Sequence, residues 1–153
     1  MDSTLYIQGL VIVLCASLSG VSVATSNQKV TPNKITVGGS SRWTFGFDYS
    51  VWAFKKAPFF VNDTLVFKYD LPRNKNEHPH SVYLLPDLWS MLTCNLTNGV
   101  KIAKESQGTG KGFEFVMKKW KPYYFACGGG NGFHCNFGNM KFFVQPLRRR
   151  LPY

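Results

Sequence analysis

Apolar and polar positions fall in short alternating blocks, with no long helical period, so most of the chain reads as brief strands between turns. The clearest block is Asp63-Thr64-Leu65-Val66-Phe67-Lys68-Tyr69-Asp70. There Leu65, Phe67 and Tyr69 alternate mainly with Thr64, Lys68 and Asp70, predicting a strand with one face against a core. Lys34-Ile35-Thr36-Val37 predicts a strand ended by Gly38-Gly39, and Trp43 to Tyr49 mixes aromatic residues with turn formers, predicting short strands and loops. Residues 72–78 are polar and flanked by proline, a loop that returns to strand character at His80-Ser81-Val82-Tyr83-Leu84-Leu85, so His80 stands where a strand begins. Asp87 to Thr93 predicts a short helical turn capped by Asp87 after Pro86. Gly108 to Gly112 predicts a turn before the strand Phe113–Met117. Lys121 to Cys127 predicts a strand running into the glycine-rich loop Gly128 to Phe133, and Met140–Val144 a closing strand. About seven short strands punctuated by Gly, Pro and Asn predict an all-β sandwich or small barrel with one or two short helical turns.

The first two dozen residues break this pattern. Leu10 to Ala16 is an apolar run, followed by small residues to Ala24, which predicts a secretory signal peptide over 1–24; the run is shorter than the roughly 20 residues a bilayer span needs. A lead over 25–33, one domain over 34–146 and a short basic tail over 147–153 complete the expected organisation. The tail lacks the apolar character of a lipid-anchor signal, so the expected product is soluble and secreted. Two acceptor sequons, at Asn62 and Asn95, agree with that route. Removing the leader takes away Asp2 and no basic residue, raising the formal net charge from +10 to +11. Such a charge suits acidic cell-wall polysaccharide or an anionic membrane; outside the cell nucleic acid drops out as a partner.

Without Cys15 of the leader, Cys94, Cys127 and Cys135 remain, an odd number for an oxidising compartment. One disulfide plus one metal-bound thiolate accounts for three; an intermolecular disulfide or an idle buried thiol does so as well. The segment from Cys127 to Met140 places Cys127, His134 and Met140 in one inter-strand loop, and His80 comes from an earlier strand. Two imidazoles, a thiolate and a weak axial thioether form the donor set of a type 1 copper electron-transfer centre. Structural zinc suits the set less well, because a thioether is a poor zinc ligand. His78, two residues before His80, is a substitute ligand.

Several separated pieces then resemble the plant phytocyanins: the plantacyanins, stellacyanins, uclacyanins and early nodulin-like proteins. They are Val37-Gly38-Gly39 with Trp43 and Phe47-Asp48-Tyr49; Asn62 to Phe67; His80-Ser81-Val82; Tyr124-Phe125-Ala126-Cys127; His134-Cys135; and Gly138-Asn139-Met140-Lys141. The resemblance covers about residues 34–144 and implies a cupredoxin-like Greek-key β-sandwich. It implies His80, Cys127, His134 and Met140 as copper ligands and a Cys94–Cys135 disulfide. Two intervals depart from the family's pattern: six residues separate Cys127 from His134 where four are usual, and four separate Cys135 from Met140 where three are usual.

The function so implied is a blue copper protein secreted to a plant apoplast or cell wall, not an enzyme, passing one electron to a redox partner that the sequence does not identify. His134 near the surface is the expected exit route, with Phe133 as part of an apolar docking rim. The alternative is a copper-free extracellular binding or signalling module that uses its basic surface.

Overall fold

The computed structural model describes residues 31–74 and 77–149; the expected leader and the last four residues lie outside them. Two sheets form the body. One contains β1 (Lys34–Thr36), β2 (Thr64–Phe67) and β5 (Phe113–Val116) in the order β1-β2-β5. The other contains β3 (Val82–Leu85), β4 (Val100–Ala103), β6 (Tyr123–Ala126) and β7 (Lys141–Val144) in the order β4-β3-β6-β7. β1 runs parallel to β2 and every other pairing is antiparallel. The chain leaves the first sheet after β2, returns for β5 and leaves again, which is the crossing pattern of a Greek-key sandwich.

Aromatic rings fill the space between the sheets. Trp43, Tyr49, Phe67, Phe125 and Phe142 are each almost wholly buried, and their ring centroids lie 4.5–6.2 Å apart in tilted or edge-on pairs, with Phe125 stacked on Phe142. β2 is buried at Thr64 and Val66 as well as at Leu65 and Phe67, so the one-sided strand expected there is covered on both faces.

Trp43 to Phe47 adds no strand. It is a loop leading into α1 (Tyr49–Lys56), a helix that the sequence reading did not foresee. Asp48 caps it by accepting a hydrogen bond from the Val51 amide at 2.9 Å, Lys55 and Lys56 close its last turn, and Tyr49 and Ala53 face the core four residues apart. The predicted turn after Pro86 forms as α2 (Leu88–Leu92), with Asp87 accepting from the Ser90 amide at 2.7 Å. β4 was also unforeseen: Val100 and Lys101 face solvent and only Ala103 is fully buried.

Residues 147–149 of the expected tail lie against the domain. The Leu147 amide donates to Phe59 O at 2.8 Å, and Arg149 pairs with the fully buried Asp63, whose carboxylate also accepts from the Asn33 and Phe60 amides.

Candidate metal centre

The sheet order gathers the donors. The start of β3 lies beside the end of β6 (Tyr83 against Ala126), and the end of β6 lies beside the start of β7 (Ala126 against Lys141). His80, two residues before β3, Cys127, just after β6, and Met140, just before β7, therefore emerge at one end of the sandwich.

The long interval between Cys127 and His134 closes through a left-handed run at Gly130, Asn131 and Gly132, with φ of 59°, 53° and 89°, which leads into a helical turn, α3 (Phe133–Asn136). Backbone hydrogen bonds tie the loop shut: His134 N–H to Gly129 O at 3.2 Å, Met140 N–H to His134 O at 3.1 Å and Cys127 N–H to Met140 O at 2.9 Å.

The donor atoms converge. His80 Nδ1 and His134 Nδ1 are 3.0 Å apart, and Cys127 Sγ lies 3.8 Å from the first and 3.5 Å from the second. One ion bonded at about 2.0–2.3 Å to nitrogen and sulfur holds its donors at such separations. Among the described residues these three form the single cluster of His, Cys, Asp and Glu donors with that closeness, all within 4.8 Å of one another. Among the described residues Cys127 is also the free cysteine, while Cys94 and Cys135 are joined in a disulfide. That bond anchors the residue next to His134 to the segment after α2.

Electrostatics favour ligation by neutral imidazoles. Burial, and secondarily the neighbouring His134, lowers the His80 pKa to about 4. Burial followed by His78 lowers that of His134. Burial pushes the Cys127 thiol up, and amide donors work against it: Ser81 N–H at 3.5 Å and Gly129 N–H at 3.4 Å point at Sγ. Those amides stabilise a thiolate without adding a charge. Ser81 is held in turn by Trp43, whose indole N–H donates to Ser81 O at 3.1 Å.

Met140 is fully buried, and its backbone bridges Cys127 and His134 through the bonds just described. His78 stays outside the donor cluster; it is exposed, with its ring 6.1 Å from that of His134. Asn62 occupies the turn entering β2 with φ of 74°, and Asn95 is exposed, its Oδ1 accepting from Thr97 N–H at 3.0 Å.

One expectation is corrected. His134 is not at the surface; it is 5% exposed. The Phe45 ring meets it edge-on at 5.4 Å and stacks on Phe133 at 5.6 Å, while the Gly46 amide donates to Gly138 O at 2.9 Å and clamps the Phe45 loop over the site. The partly exposed imidazole is His80, which borders a cavity of about 250 Å³ shared with Arg42, Tyr69 and Arg73. The residues missed from the sequence are those that shape the donors without donating: Phe45, Ser81 and Gly129. Gly129 left a trace as one glycine among four, with nothing to mark which one touches the site.

A two-sheet sandwich with imidazole, thiolate and imidazole converging at one end defines the cupredoxin class. Comparison with known proteins agrees. A blue copper protein of Pisum sativum is 32% identical over 118 residues, covering 76% of this chain and 53% of the relative. The chain thus spans about half the length of the curated relative it matches. Cucumber stellacyanin, solved with Cu²⁺, superposes with a TM-score of 0.61 at 23% identity over 78% of this chain and 100% of its own. Spinach plantacyanin gives a TM-score of 0.49 at 18% identity over 76% and 100%. No family model matches the chain. The chain is thus similar in sequence to a blue copper protein and shares the cupredoxin fold of stellacyanin.

Proposed function

We propose that this protein binds one copper ion through His80, Cys127 and His134, with Met140 as the axial ligand, and carries single electrons outside the cell. The observation that supports the reading most is the convergence of His80 Nδ1, Cys127 Sγ and His134 Nδ1, with two amide N–H groups aimed at the sulfur. Copper in such a donor set cycles between two oxidation states with little change of geometry. The chain's residues hold that geometry: neutral imidazoles ligate without losing a proton, amides receive thiolate charge, and aromatic residues exclude water. Two imidazoles, a thiolate and a thioether would occupy the ion's bonding positions and leave none for a substrate, which supports a carrier and not an enzyme. A redox partner would meet the exposed edge formed by Phe45, which covers His134, by Phe133 stacked on it and by Phe137 beside Phe133.

The test is one equivalent of copper(II) added to the purified, oxidised protein, followed by visible absorption and electron spin resonance. An intense band at about 600 nm, absent from Cys127→Ser, is the expected result. A colourless protein with its disulfide intact overturns the reading. It favours instead a metal-free module acting through its surface charge, supported by the formal net charge of +10 and tested by salt-sensitive, metal-independent retention on pectin.

A further inference from the structure

A second surface, far from the donors, is unused by the electron-transfer reading. β7 begins at the metal centre and runs to its far end at Val144, where an apolar groove of about 510 Å³ opens between α1 and the segment after β7. Phe54, Ala57, Pro58, Phe143, Val144 and Leu147 line most of it. Phe54 is 86% exposed, and Phe143 and Leu147 are about half exposed. Contiguous apolar exposure of this kind marks a contact surface.

Its surroundings are cationic. Lys55 and Lys56 follow Phe54 in the last turn of α1, and Arg148 follows Leu147, its guanidinium stacked 4.7 Å over the exposed Trp120. None of the groove's lining residues is acidic, and Asp63, the carboxylate nearest in the fold to Arg149, is buried and neutralised by it.

We propose that this groove and its basic rim dock the protein on an anionic lipid membrane. The charge pattern selects that occupant. A second copy of the chain would bring Lys55, Lys56 and Arg148 against their own equivalents under two-fold symmetry. A sugar polymer would satisfy the cations and leave Phe54, Phe143 and Leu147 in water. A bilayer interface with anionic headgroups takes both, aromatic and aliphatic side chains below the headgroups and lysine and arginine among them. Docking there turns the far end of β7 to the lipid and directs the His80, Cys127 and His134 end away from it.

The proposal stands independently of the copper reading and is tested on the metal-free and the copper-treated protein alike. The assay is co-sedimentation with phosphatidylcholine vesicles, with and without about a third phosphatidylglycerol, at low and high salt. The expected result is binding that requires phosphatidylglycerol and weakens with salt. It falls by about tenfold or more in Phe54→Ser and in the Lys55→Glu/Lys56→Glu double variant. Trp89→Ser, which alters a similarly exposed aromatic side chain (72%) outside the groove, binds as the parent does. Phe54 is on the helix surface, so its loss leaves the fold intact, which circular dichroism checks. Equal binding by parent and Phe54→Ser overturns the proposal, as does no binding to anionic vesicles. A concentration-dependent dimer that Phe54→Ser abolishes, without lipid binding, assigns the groove to a second copy instead.

Discussion

Gly129→Ala puts the smallest possible obstacle into the donor cluster. A Cβ on Gly129 would point between the His134 ring and the chain before β3, 2.5 Å from Pro79 O and 2.7 Å from His134 Cε1, and closer still to Nδ1, where ordinary contact begins at 3.4 Å. The backbone oxygen cannot rotate away, so the imidazole or the whole loop must move by about 1 Å, beyond the roughly 0.5 Å within which a functional constellation works. Moving the loop also withdraws the Gly129 amide from Cys127 Sγ. Overpacking of this kind costs about 1–3 kcal/mol of stability. Copper affinity should fall about 10–100-fold, as when a ligand loses its support. The assay pairs urea unfolding of the metal-free protein with competitive copper titration followed at the thiolate-copper band. Gly99→Ala is the control: its Cβ would meet Leu85 Cδ2 at 2.6 Å and Tyr83 at 3.3 Å, outside the donor cluster, so it should lower stability and leave affinity unchanged. Copper bound by Gly129→Ala as tightly as by the parent would refute the account of how His134 is aimed.

Three further outcomes follow from the same contacts. The lowered pKa of His80 means that the unfolded chain takes up a proton at about pH 6.5 and the folded one at about pH 4. Stability of the metal-free protein is thus fully present above 6.5 and lost as pH falls towards 4, by about 1–3 kcal/mol after allowance for partial solvation; a urea midpoint flat across that window contradicts it. Asp63→Ala removes a buried carboxylate and leaves the mostly covered Arg149 and the part-buried Asn33 and Phe60 amides without their acceptor, and should cost about 2–4 kcal/mol, read from the urea midpoint. Reducing the Cys94–Cys135 disulfide, which closes a 41-residue interval, should remove about 4 kcal/mol and weaken copper binding through the freed neighbour of His134. Full affinity in the reduced protein would show that the loop holds its shape unaided.

The candidate donors were legible because their chemistry is carried by rare residue types in a fixed order, and because the strand-like runs at 80–85, 121–127 and 140–144 show where His80, Cys127 and Met140 stand relative to the sheet. Burial was harder to read. β2 is covered on both faces, which alternation at Leu65, Phe67 and Tyr69 does not reveal. The signals for α1 were present, Asp48 as a cap and Lys55-Lys56 at the end, but Tyr49, Trp52 and Phe54 gave the segment the composition of a strand. β4 has little pattern to detect, since most of it faces water. The cover over His134 depends on Phe45, brought from the other end of the chain by a single backbone bond at Gly46, and no local rule reaches that far.

The His134 loop is fastened on both sides: by Gly129, seated against Pro79 and hydrogen-bonded to the Cys127 sulfur, and by Cys135, bonded to Cys94. The stretch between those anchors acts as slack. Residues added there can be absorbed as an outward turn, like the left-handed run at Gly130, Asn131 and Gly132, while the imidazole keeps its station. The same arrangement leaves the exposed rim free to vary without disturbing the donors beneath it. For an engineer it marks residues 130–133 as the place to graft a new recognition loop.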